Sequence, residues 1–155
     1  MGVEIERKFL VRDDSWRPAD RSERLCQGYI STGPPASVRV RIAGDSAILN
    51  IKRQTGTITR DEFEYPIPVV DAVAILGGLC TGHPVEKTRH YVAFAGLTWE
   101  VDIFEGLNVG LVVAEVELER EEQDCPLPPW VGDEVSRDSR YLNSQLALRP
   151  YSEWG

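Results

Sequence analysis

The chain has 155 residues, 42% hydrophobic and 27% charged, with a formal net charge of -8 and a pI near 4.8: enough for one domain over residues 1–155 and too little for two. So acidic a chain lacks the basic footprint of a nucleic-acid binder, and no apolar run in it is long enough to cross a bilayer. Charge from the fourth residue, with no apolar leader, and three widely spaced cysteines (Cys26, Cys80, Cys125) that suit small buried thiols better than disulfides predict a soluble cytoplasmic protein.

The dominant hydrophobic period is two, which predicts strands. The first covers 3–11, with Glu4, Glu6 and Lys8 on one face and Val3, Ile5 and Phe9 on the other. Strands at 26–31 and 37–43 flank the turn signal Thr32-Gly33-Pro34-Pro35, and Arg39 and Arg41 share a face opposite Val38, Val40 and Ile42. After Gly44-Asp45 comes 47–53, with Lys52 aligned with Ile48 and Asn50. After Gln54-Thr55-Gly56 comes 60–67, with Glu62 and Glu64 opposite Phe63 and Tyr65. Residues 69–80 read as a helix with Val70, Val73 and Leu76 or Gly77 on its apolar side, weakened by Gly77-Gly78. Strands follow at 86–94, where Lys87 and Arg89 fall together, at 98–105 beyond Ala95-Gly96, and at 112–120, with Glu115, Glu117 and Glu119 opposite Val116 and Leu118. Pro126-Leu127-Pro128-Pro129 then leads to a helix over 138–148, with Asp138 as cap, Tyr141, Leu142 and Leu146 as stripe and Pro150 as stop. Short connections predict antiparallel pairing. Whether 121–135 forms a lid stays open.

A wet sheet face explains charged alternation on any single strand. It does not explain the sorting of sign. Residues 100–124 hold nine acids and one base, Arg120, and carry the whole net charge, whereas 38–53 hold Arg39, Arg41, Lys52 and Arg53 against Asp45 alone. Like charges two residues apart on a strand repel by about 2 kcal/mol at an effective dielectric near 20, before screening. Acids that share divalent cations and bases that share a polyanion relieve that repulsion; magnesium or manganese suits Glu-x-Glu, and a phosphate chain suits converging Arg and Lys. Closing the sheet would place both sets on an inner wall and the apolar residues outside, under the helices. Neither histidine fits a nucleophilic triad: His83 precedes Pro84 in an expected turn, and His90 faces away from Lys87 and Arg89. No Gly-x-x-x-x-Gly-Lys loop is present.

Glu4-Ile5-Glu6-Arg7-Lys8 resembles the Glu-x-Glu-x-Lys signature of the CYTH domain, the triphosphate tunnel metalloenzyme family. Val38-Arg39-Val40-Arg41-Ile42, Leu49-Asn50-Ile51-Lys52-Arg53, Glu86-Lys87-Thr88-Arg89, Trp99-Glu100-Val101-Asp102 and Ala114-Glu115-Val116-Glu117-Leu118-Glu119 resemble its later strands in order. The tail from Asp138 is similar to the closing helix of short bacterial members. The resemblance implies an α+β, mainly β fold: an eight-stranded antiparallel tunnel with a charged interior and a few flanking helices, one C-terminal. It implies a metal site of Glu4, Glu6, Glu115 and Glu117, with Asp102 as a further ligand or an orienter of bases, and Mg2+ or Mn2+ as cofactor. Lys8, Arg39, Arg41, Lys52, Lys87 and Arg89 would hold phosphates. Glu4, Glu6, Lys8, Tyr29, Glu115 and Glu117 make the expected catalytic set, with Glu62, Glu64 and Glu100 as secondary acids. The expected activity is hydrolysis of inorganic tripolyphosphate to pyrophosphate and phosphate. A class IV-type adenylate cyclase, a thiamine or nucleoside triphosphatase, and a non-catalytic polyphosphate- or nucleotide-binding module are the alternatives. The expected partner is a triphosphate-containing small molecule, with no nucleic acid and no membrane; a homodimer stays open.

Overall fold

A computed structural model describes residues 2–155. Nine antiparallel strands run in chain order: β1 (Gly2–Val11), β2 (Arg21–Ser31), β3 (Ser37–Ala43), β4 (Ser46–Gln54), β5 (Thr59–Ile67), β6 (Thr81–Phe94), β7 (Leu97–Phe104), β8 (Val112–Leu118) and β9 (Val131–Glu134). Helix α1 (Val69–Gly78) joins β5 to β6, and α2 (Asn143–Leu148) lies near the C-terminus. The order β5-β4-β3-β2-β6-β7-β8-β1 closes because β1 pairs on both sides, Gly2–Ile5 with β5 and Ile5–Leu10 with β8. The eight-stranded barrel follows. β9 is the extra strand: it pairs with β1 at Phe9 and Val11, past the start of β5, so the hydrogen-bonding edge of β1 is covered beyond the closure. No helix among the described residues is long and apolar enough to cross a membrane.

β2 and β6 each begin five residues before the expected start. Arg21 and Ser22 keep pairing with Tyr91 and His90, so the charged start of β2 is ladder rather than loop. The His83-Pro84 turn is likewise part of β6; two residues of β2, Gln27 and Tyr29, face Val85 and Thr81, and this irregularity accommodates a proline without a backbone N–H. β8 ends at Leu118. Residues 121–135 return to β1 as β9 and put nothing into the tunnel wall.

The apolar outer face is covered in two places. Phe9, Trp99 and Trp130 pack with Trp16, brought over the barrel by the link between β1 and β2; the Phe9 and Trp99 rings lie 5.5 Å apart and those of Trp99 and Trp130 5.8 Å. α1 covers Val40 and Ala47 with Val69, Ala72, Ile75 and Leu76; of the expected stripe Leu76 packs inward, whereas Val70 and Val73 are exposed. Ala72 is the fully buried helix residue because its small side chain lets the helix approach β3 and β4 closely.

The expected single C-terminal helix is broken. Asp138 does cap, accepting from the Arg140 N–H at 3.1 Å, but it caps one 3-10 turn, Ser139–Tyr141; α2 follows, and Pro150 precedes a further 3-10 turn, Tyr151–Glu153. This segment does not lie on the outside of the barrel. Leu146 and Ala147 pack against Tyr29, Val85, Phe104 and Val113, and the last three alternate with the inward residues Lys87, Asp102 and Glu115. The interior is thus polar along its middle and apolar at the end that the C-terminal segment fills. At Gly82, φ is +70°, and an added Cβ would lie 2.4 Å from the Ala147 carbonyl oxygen, so glycine is what permits this close docking.

Candidate active site

The barrel encloses a cavity of about 420 Å³, bounded at one end by Leu142–Gln145. Alternation along each strand delivers its walls. Glu4, Glu6 and Lys8 of β1, Arg39 and Arg41 of β3, Lys52 of β4, Glu62 and Glu64 of β5, Lys87 and Arg89 of β6, Glu100 of β7, and Glu115 and Glu117 of β8 all face it. Tyr29 does too, beside Arg39 in register. Asp102 shares that inward face but does not line the cavity: it is fully buried, with one oxygen 2.8 Å from Lys87 Nζ and both engaged by the Arg89 guanidinium at 2.8 and 2.9 Å. In this arrangement its carboxylate orients Lys87 and Arg89.

Sign is distributed unevenly around the wall. Across β8, Glu117 sits directly opposite Glu6 and Glu115 directly opposite Glu100. Across the cavity, β3 and β4 present Arg39, Arg41 and Lys52. Like charges opposed across a ladder are destabilising by themselves, and burial amplifies this. Burial, then Glu115 and Glu4, raise the Glu6 carboxyl well above the ordinary range; burial pushes Glu115 up as well, but Lys8, the hydrogen bond from Glu6 and Arg89 outweigh it and hold Glu115 well below. Burial and like charge thus set the pair apart, with Glu6 the weaker acid of the two. Burial and then Glu4 and Glu62 raise Glu117.

The cations divide into two groups. Glu4 accepts from Lys52 Nζ at 2.9 Å and meets Arg60 at 3.5 Å, and Arg60 is also 3.8 Å from Glu6. Arg89 reaches Glu100 at 3.1 Å and Glu115 at 3.4 Å besides Asp102. Arg39 and Arg41 have no carboxylate within 4.0 Å among the described residues, and Arg39 Nε is buried without any hydrogen-bond partner. Burial, then Arg39 and Arg89, depress Arg41. Buried guanidinium groups crowded together, one with an orphaned donor, call for a polyanion. Lys8 Nζ donates to the Tyr141 carbonyl at 3.1 Å, and Lys87 Nζ to Asn143 Oδ1 at 3.1 Å; burial, against the pull of Asp102, brings Lys87 down to about 8.

Arg60, Asn50 and Asn143 are wall residues to which the sequence assigned no role. Arg60 alternates with Glu62 and Glu64, so periodicity places it, but its opposite sign hides it within an acidic strand. Asn50, which donates to Glu62 and Glu64 at 3.2 and 3.0 Å, looks like any uncharged strand residue. Asn143 accepts from Gln27 and Lys87 across 116 and 56 residues, and nothing local signals it.

The donor set suits a hard divalent cation: Glu4, Glu6, Glu115 and Glu117 offer oxygen only, and a cation would relieve the repulsion between these neighbouring buried carboxylates. Among the described residues no group of three acids is gathered about one point, because Glu4 is turned to Lys52 and Arg60.

Residues 2–151 match the model of the CYTH domain. The chain is 45% identical to an inorganic triphosphatase of Acetivibrio thermocellus over 99% of both chains, and 36% identical to an inorganic triphosphatase of Nitrosomonas europaea over 94% of this chain and 97% of that one. The crystal structure of the inorganic triphosphatase NE1496 superposes with a TM-score of 0.68 at 34% identity over 96% of each chain.

Proposed function

Because the chain belongs to the CYTH domain family, we propose that it is an inorganic triphosphatase that hydrolyses tripolyphosphate to pyrophosphate and orthophosphate with a divalent cation, magnesium or manganese. The observation that carries this reading is the cavity's charge: Arg39, Arg41 and Arg89 crowd one enclosed space that Glu4, Glu6, Glu115 and Glu117 share.

Arg39 and Arg41, free of carboxylates, take the first phosphate oxygens, and bidentate geometry fixes the chain's direction. Lys52 and Arg60 would turn from Glu4 to phosphate, and Glu4, Glu6, Glu115 and Glu117 are the residues that would hold the metal. When bound, the cation withdraws charge from the phosphoryl oxygens and makes water a better nucleophile at neutral pH. Arg89, pinned at both ends of Asp102, and Lys87, held by Asp102 and Asn143, keep fixed positive charge where it develops on the leaving phosphate. Tyr29 stays as a wall residue beside Arg39, and Glu62, Glu64 and Glu100 hold Asn50 and Arg89 in place.

The test is a phosphate-release panel over tripolyphosphate, ATP, thiamine triphosphate and pyrophosphate with magnesium or manganese, with cyclic AMP followed in parallel. Release from tripolyphosphate with the highest kcat/KM is the expected result. Cyclic AMP formation, or turnover of ATP above tripolyphosphate, would replace the reading.

A further inference from the structure

Asn143 faces the tunnel from the C-terminal segment, not from the strands that supply the charged walls. Its Oδ1 accepts twice, from Gln27 Nε2 at 3.1 Å and from Lys87 Nζ at 3.1 Å. An ammonium group has donors and no acceptor, so Lys87 fixes which end of the Asn143 amide it meets, and the Nδ2 end points elsewhere. Among the described residues Nδ2 donates to no protein acceptor, and it is not one of the polar atoms sealed off from the surface. Gln27, behind it, is fully buried and does not line the tunnel. Its Nε2 goes to Asn143, and its Oε1 is buried without a partner. A buried amide with one end unsatisfied is destabilising, so this position is explained by what the other end holds rather than by stability.

The surroundings say what the open donor is for. Lys8 and Lys87 both reach the C-terminal segment, at the Tyr141 carbonyl and at Asn143, and Lys87 adjoins Arg89 on the same face of β6. Another cation at this end of the tunnel would repel those three; a neutral amide adds a donor without adding charge. The acceptor that suits it is an anionic phosphate oxygen, which keeps lone pairs after it has met a cation. Resting on the triphosphatase reading, we infer that Asn143 is a further substrate-binding residue, whose Nδ2 donates to the phosphate lying beside Lys87, and that Gln27 is the positioning residue that holds its amide in that orientation. The two act in series: Gln27 touches no substrate and works through Asn143.

The contact is tested by nuclear magnetic resonance on the full chain, labelled with the heavy nitrogen isotope, with EDTA present so that no turnover occurs. The Asn143 side-chain amide signals are identified by their disappearance in Asn143→Asp, which keeps an oxygen toward Lys87 and Gln27. Titration with tripolyphosphate is expected to move one Asn143 amide proton downfield and to show a coupling to phosphorus across the hydrogen bond. Saturation with those signals unmoved overturns the contact. Gln27 is tested by a double-mutant cycle read as metal-free Kd for tripolyphosphate by calorimetry. Asn143→Ala weakens binding about tenfold, the loss of one hydrogen bond to a charged group. Gln27→Met, similar in volume, weakens it about threefold in the wild-type background and leaves it unchanged in Asn143→Ala. Equal loss from Gln27→Met in both backgrounds, or none in either, overturns the positioning role; wild-type affinity in Asn143→Ala overturns the contact. A wild type that takes up no tripolyphosphate defeats the triphosphatase reading and this assignment together, whereas uptake without any response at Asn143 defeats the assignment alone.

Discussion

Lys87 is the wall residue whose ionisation falls within reach of experiment. Its folded-state pKa of about 8 lies below that of an unfolded lysine, so the unfolded chain binds more protons between about 8 and the ordinary lysine value, and stability from this group rises with pH across that window. Phosphate binding runs the other way. It needs the charged form, so kcat/KM for tripolyphosphate should fall on the alkaline side with a pKa of about 8 at fixed free metal. Asp102→Asn removes the main group that supports the charge, and should move that limb to lower pH; an unmoved limb would take Lys87 out of the profile. Glu6 offers a second test. Glu6→Gln keeps a donor toward Glu115 and removes a like charge, so melting temperature without metal should hold or rise. Metal-dependent turnover should meanwhile drop about 100-fold or more, the several kcal/mol that metal-assisted charge stabilisation supplies. A large fall in melting temperature would mark Glu6 as structural.

At the scale of elements, two glycines make opposed predictions. Gly82→Ala forces a side chain into the left-handed region and against the Ala147 carbonyl, and should cost about 1–3 kcal/mol, or about 2–4 °C of melting temperature per kcal/mol. Gly77, in α1, has nothing within 4 Å of its absent Cβ, and Gly77→Ala should stabilise by about 0.5–1 kcal/mol. Thermal melts of both variants check the pair. The same elements explain what the sequence could and could not tell. Alternation is a local property, so Glu4, Glu6, Arg39, Arg41, Lys87, Glu115 and Glu117 were readable as one inner wall, and turn residues marked most strand boundaries. What alternation cannot see is which partner lies across the ladder: Asp102 has the right parity for the cavity, but Arg89 on β6 takes both its oxygens. Nor can it see tertiary insertion. The stripe Tyr141, Leu142 and Leu146 predicted a helix lying on the barrel, whereas docking on Val85, Phe104 and Val113 breaks that helix and sends it into the barrel mouth.

At the scale of the whole molecule, the carboxylates of β1 and β8 face the basic side chains of β3 and β4 across the tunnel. Without ligand, each wall bears repulsion that only partial pairing relieves. Ligand should therefore raise stability as well as occupy the site. Tripolyphosphate at 100 times Kd should add about 2.7 kcal/mol to the unfolding free energy, as scanning calorimetry would measure, and Arg39→Ala should abolish most of that gain. Absence of any shift would mean that the tunnel does not bind the chain.

The apolar seal made by Leu146 and Ala147 has a consequence for a substrate that reads identically from head to tail. One termination of the barrel is built from these side chains and Asn143, while the opposite termination carries no such stopper, so equivalent outer phosphorus atoms occupy inequivalent surroundings once inside. Under the triphosphatase reading, the two chemically interchangeable bonds of a bound chain then differ in their surroundings, and the fold desymmetrises its guest.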